Sequence, residues 1–73
     1  MSITVHQVTG HSNFTSYDLA RGDANDKIEA ILRGYGRRAK IVNTEEGPMS
    51  FRNGGFLGLR RETFLSVTVT IEY

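Results

Sequence analysis

The chain has 73 residues, no cysteine, no tryptophan, one proline and a formal net charge of +1. It is long enough for one small core, burying about 60% of the surface its unfolded chain exposes. It excludes disulfides and Cys-based zinc sites, and no apolar run approaches the roughly 20 residues of a membrane-spanning helix.

In chain order, Ile3-Thr4-Val5-His6-Gln7-Val8 reads as an opening strand or an ordered arm within residues 1–12. The N-terminal MSITVHQVTG has neither a basic n-region nor an apolar h-region, so the expectation is a cytoplasmic protein without a secretion signal. Phe14 to Leu19 alternates weakly and is expected as a short strand leading through Ala20-Arg21-Gly22. A helix follows over residues 24–35. Asp23 stands at the N-cap, Asp26 at the capping-box position, and Ala24, Ile28, Ile31, Leu32 and Tyr35 share one face. Gly36 suits the left-handed residue after the helix.

Ala39 to Thr44 reads as a strand, Glu45-Glu46-Gly47-Pro48 as a solvated turn, and Met49-Ser50-Phe51-Arg52 as a short middle strand. The glycine-rich Asn53-Gly54-Gly55-Phe56-Leu57-Gly58-Leu59-Arg60-Arg61 is a loop. The final segment, 63–73, alternates strictly from Leu65 onward, with Phe64 breaking the polar face near its start and placed to cover a sheet edge. Leu65, Val67, Val69, Ile71 and Tyr73 fall on one face, with Ser66, Thr68, Thr70 and Glu72 on the other. The expected fold is α+β: a β-α-β-β domain over 13–73, with one helix packed on a mainly antiparallel three- to four-stranded sheet.

The residues offer little for catalysis. His6 and His11 are too few for an ordinary structural zinc site and have no thiol to activate. No Gly-Lys pair exists for a P-loop, no GxGxxG for a dinucleotide, and no GxSxG for a nucleophile elbow. Asp23 and Asp26 are read as helix-capping residues. No enzyme, cofactor, metal or small-molecule substrate is expected. What stands out is the loop: Phe56, Leu57 and Leu59 lie within four positions of one another, and Arg60 and Arg61 follow. Three apolar residues on a glycine frame cannot easily all point inward, and an exposed apolar cluster rimmed by arginine marks a partner surface.

Charge is uneven along the chain. Residues 1–32 carry −2, residues 33–61 carry +5 and the last twelve carry −2, with seven arginines against two lysines. Arginine suits planar contact with phosphate. Arg37, Arg38, Lys40, Arg52 and Arg61, interleaved with Phe51 and Phe56, form the alternative candidate, a phosphate-facing RNA surface.

The helix ending in Tyr35-Gly36, the basic segment Arg37-Arg38-Ala39-Lys40-Ile41-Val42, the Gly54-Gly55-Phe56-Leu57-Gly58-Leu59 hexapeptide and the alternating last strand together resemble a known arrangement. They are similar to the N-terminal domain of the flagellar SRP-type GTPase FlhF. They are also similar to the small N-terminal domain of the Jag family of bacterial RNA-binding proteins, a β-α-β-β unit. The resemblance spans about residues 13–73. It departs from the GTPase family at Glu45-Glu46-Gly47-Pro48 and Arg60-Arg61, and the GTPase module itself is not in the chain. It implies a non-catalytic accessory module of a larger bacterial protein concerned with flagellar biosynthesis. Such a module docks a protein partner or regulates an attached domain through the Phe56–Leu59 loop; an RNA-associated module is the alternative.

Overall fold

A computed structural model describes residues 2–54, 56–58 and 60–73, with the side chain of Phe56 outside the description. Among the described residues, three strands and one α-helix follow one another: strand β1 (Ile3–Ser12), helix α1 (Tyr17–Gly34), strand β2 (Lys40–Gly54) and strand β3 (Arg60–Glu72), with a short turn element, Phe56–Gly58, between the last two. The order is the β-α-β-β expected from the sequence. The sheet has three strands in the order β1-β3-β2, antiparallel throughout, so the last strand lies in the middle.

β3 takes the centre because its alternation supplies the core. Leu65, Val67, Val69 and Ile71 are buried on one face with Thr63, while Ser66, Thr68 and Thr70 are half-buried on the other. Burying each such branched side chain contributes roughly 1.5–3 kcal/mol. Across the sheet, Val8 joins them from β1. The helix closes this face with Ala20, Ala24 and Ile28, and Ile31, Leu32 and Tyr35 pack at the margin.

Two alanines at the contact allow a close approach, and Gly10 of β1 makes it closer. A Cβ at Gly10 would stand 2.0 Å from the Ala20 carbonyl oxygen and 2.9 Å from Ala24 Cβ. The helix therefore lies over β1 and β3. β2, exposed along almost its whole length, is left without a helical cover. The result is elongated, 50 × 19 × 15 Å with a radius of gyration of 14.2 Å. A compact chain of this length would have about 11 Å.

Four expectations are corrected. The helix starts at Tyr17, not at residue 24, because Ser16 supplies the cap: its Oγ accepts from the Leu19 N–H at 3.3 Å. Tyr17 and Leu19 belong to the helix, so the weak strand expected over Phe14 to Leu19 does not form, and β1 is the opening strand instead. Asp23 is no cap; mid-helix, its Oδ2 accepts from the backbone N–H of His11 at 2.8 Å. The turn expected at Glu45-Glu46-Gly47-Pro48 is a bulge in one continuous strand. The register steps from Glu46–Val67 to Met49–Leu65, leaving Gly47 and Pro48 opposite Ser66. Pro48 is tolerated there because a bulge on an edge strand needs no ladder hydrogen bond from it. Gly36 does adopt the left-handed conformation expected of it, with φ of +100°.

Candidate interaction site

The apolar loop joins β2 to β3 at one end of the long axis. Gly54 pairs with Arg60, and the backbone between them includes a tight turn at Phe56–Gly58. Leu57 sits in this turn at φ 58° and ψ 22°, the left-handed region, followed by Gly58 at φ 67°. For a residue with a branched side chain this conformation costs about 1–2 kcal/mol. Leu57 is nonetheless 78% exposed, the most solvent-accessible large apolar side chain described. Leu59 lies outside the described residues, as does the side chain of Phe56.

The stem below the tip is charged and aromatic on both faces. On the helix side, the Arg61 guanidinium lies 4.7 Å from the centre of the Phe51 ring, and Phe51 itself is exposed. On the opposite side, Arg52 lies 5.2 Å from the Phe64 ring and donates to Glu62 Oε2 from Nη2 at 3.0 Å and Nε at 3.3 Å. His11 completes this cluster from β1, its Nε2 3.2 Å from Glu62 Oε1 and its ring 4.9 Å from that of Phe64. The Arg52 hydrogen bonds hold the Glu62 carboxyl below its ordinary range. Partial desolvation works against them, and His11 reinforces them. Arg60 and Arg61 are exposed.

The predicted basic surface does not come together as one patch. Arg52 and Arg61 stand near the hairpin tip, whereas Arg37, Arg38 and Lys40 lie at the other end of β2, where Lys40 faces Glu72 at 3.8 Å. The twelve steps from Lys40 to Arg52 span roughly 40 Å at about 3.3 Å per residue. Glu45 and Glu46 fall between them. Glu46 is no idle surface charge: it accepts from Arg21 Nε at 2.7 Å and from the Tyr17 hydroxyl, tying β2 to the first turns of α1. The Tyr17 hydroxyl is correspondingly raised in pKa, chiefly because Glu46 accepts its proton in a hydrogen bond.

Sequence reasoning missed the His11–Glu62–Arg52–Phe64 cluster, whose members come from three strands. The only local sign was Phe64 interrupting an otherwise polar face. Among the described residues no group of three or more His, Asp or Glu side chains is placed to hold a metal ion. No described helix is long and apolar enough to cross a membrane. Comparison with protein families, with curated proteins and with solved structures finds no match.

Proposed function

We propose that this chain is a non-catalytic interaction module that docks a protein partner, or a domain attached to it, through the β2–β3 hairpin tip. One observation carries the reading: Leu57 is held in a left-handed conformation with its side chain 78% exposed. Backbone strain at an exposed apolar residue earns no folding stability, and strain of this kind concentrates at binding sites. Leu57 is the anchor, and Arg60 and Arg61 form a polar rim able to meet carboxylates. The resemblance of the Gly54–Leu59 segment to the flagellar GTPase domain suggests a partner class, a GTPase module of the flagellar system.

Site-specific photo-crosslinking in cells tests this. A crosslinker at position 57 or 61 is expected to capture a protein that one at position 70, on the open sheet face, does not. The captured protein, once purified, should bind the chain and lose more than about tenfold in affinity with Leu57→Asn, the size of one buried apolar anchor. Asn tolerates the left-handed backbone, so the fold survives. Identical adducts from positions 57 and 70, or unchanged affinity of Leu57→Asn, would remove the tip from consideration.

The RNA reading has its own favouring observation. Arg61 stacked on exposed Phe51 resembles a small stacking platform for an unpaired base. It now rests on the tip arginines alone. Its signature would be affinity that falls steeply with salt and is abolished by Arg61→Glu with Phe51→Ser.

A further inference from the structure

The sheet has two edges, and they differ in kind. β2 carries Lys40, Glu45, Glu46 and Arg52, and its register is interrupted by the Gly47-Pro48 bulge. Charges, bulges and proline are the devices that keep edge strands from pairing. β1 has none of them. Its ten residues, Ile3–Ser12, contain no charged side chain and no proline, and its register with β3 runs without a shift. Ile3 and Val5 are 57% and 62% exposed.

Which β1 backbone groups face outward follows from two helix side chains. Lys27 Nζ donates to the Thr9 carbonyl at 2.6 Å, and the His11 N–H donates to Asp23 Oδ2. Both β1 groups therefore point to the outer edge. On the inner side, Ser2 and Tyr73 exchange hydrogen bonds at 2.7 and 2.9 Å. Backbone groups alternate in direction along an antiparallel strand. Ile3, Val5 and Gln7 thus present their N–H and C=O groups outward, as Thr9 and His11 do. The helix caps the upper part of the edge and leaves residues 3 to 7 open.

We propose that this open half of β1 is a self-association surface, pairing antiparallel with the same segment of a second copy around a two-fold axis at Val5. In that register Ile3 faces Gln7 of the second copy and Val5 faces Val5. Every pair consists of two outward-facing residues, so each exchanges two hydrogen bonds. No charge meets a like charge, and the pairing ends where Lys27 and Asp23 cap the edge. The second copy fits because the segment is complementary to itself under this rotation, as a closed two-fold interface requires.

The helix flank permits the approach. The row on the β1-edge side of α1 runs Asp23, Lys27, Ala30, Gly34, so its C-terminal part has no side chain beyond Cβ. A Cβ at Gly34 would meet nothing within 4 Å. His6 Nε2 at 2.6 Å from the Tyr35 hydroxyl fixes this end of the helix beside the open half of β1. The product is a six-stranded sheet with both helices on one face. This surface is separate from the hairpin tip, and its test does not depend on what the tip binds.

Sedimentation velocity over a dilution series from millimolar to micromolar should show the mass rise from 8.2 kDa toward twice that value. Amide exchange should show Val5 and Gln7 N–H groups protected only at high concentration, with His6 and Val8 protected throughout. Val5→Lys places two ammonium groups across the axis and should weaken association more than about tenfold. Val5→Thr should leave it intact. A chain that stays monomeric at millimolar concentration overturns the proposal. So does a dimer that protects β2 amides instead, or one that a folded Val5→Lys leaves unchanged. Should Val5→Lys fail to fold, the exchange pattern of the unaltered chain decides.

Discussion

Replacing Gly10 by alanine tests the central packing claim, because two accounts of the position give opposite signs. An alanine in an unencumbered strand gains roughly 0.5–1 kcal/mol over glycine by restricting the unfolded chain. Here the new Cβ would lie 2.0 Å from the Ala20 carbonyl oxygen and 3.0 Å from its carbon, both backbone atoms that cannot rotate aside. Ordinary contact begins at 3.4 Å, so the helix must lift from the sheet along its first turns. Overpacking of this kind costs typically 1–3 kcal/mol, and a backbone clash belongs at the upper end, about 3 kcal/mol. A domain of this size has a total stability of roughly 4–11 kcal/mol. At about 4–8 °C per kcal/mol, the melting temperature should fall by roughly 12–24 °C. Gly22→Ala provides the control. Its Cβ would meet nothing within 4 Å on the exposed helix surface, so stability should rise by about 0.8–1 kcal/mol. The measurement is thermal unfolding by calorimetry with circular dichroism. An unchanged or raised melting temperature for Gly10→Ala would refute helix seating on β1 at this residue.

The remaining predictions are smaller. Thr63, fully buried, donates from Oγ1 to the Phe14 carbonyl at 2.7 Å and accepts from the Ser16 N–H at 3.3 Å. Thr63→Val keeps the shape and removes both bonds, while the Ser16 N–H still donates to the Phe14 carbonyl at 2.9 Å, so denaturant titration should show a loss of about 0.5–1.5 kcal/mol at unchanged m. Asp23 is held below its ordinary pKa chiefly by the His11 backbone N–H, with Lys27 assisting and burial opposing. A depressed folded pKa means its contribution is present above the unfolded value and is lost as pH falls through the folded one. Asp23→Asn should therefore destabilise near neutrality and flatten the acid limb of stability below about pH 4; an unaltered limb would count against this role. Leu57→Asn should leave stability unchanged or raise it by up to about 1 kcal/mol, since it relieves left-handed strain without removing a core contact. A clear loss of stability would show that Leu57 serves the fold.

How far the fold was legible depended on which residues carried the pattern. β3 could be read outright, because branched residues alternate over eight positions and the buried face is the one they mark. The second half of α1 could be read from Ile28, Ile31, Leu32 and Tyr35. Its first half could not: the core there uses alanine, whose hydropathy is too slight to announce a face, and Tyr17 and Leu19 are exposed apolar residues that mimic a strand. Ser16 three residues before Leu19, and Ala20 four before Ala24, were the available signals. Gly47-Pro48 suggested a turn because bulges and turns draw on the same residue types. The hairpin loop was visible as composition, but the exposure of Leu57 and the separation of the arginines are tertiary facts. They follow from β2 running unbroken past the bulge.

The central position of β3 also governs how the chain reaches this structure. β1 pairs with β3 at separations that run from Ser12–Thr63 to Ile3–Glu72. Until the last strand is available, β1 and α1 have no sheet on which to bury Val8, Ala20, Ala24 and Ile28. The β2–β3 hairpin can form from neighbouring sequence alone, whereas β1 must close across most of the chain. High contact order slows that step. Pairing of β1 is therefore expected to follow formation of the β2–β3 hairpin, and an emerging chain keeps the uncharged β1 unpaired until β3 has been made.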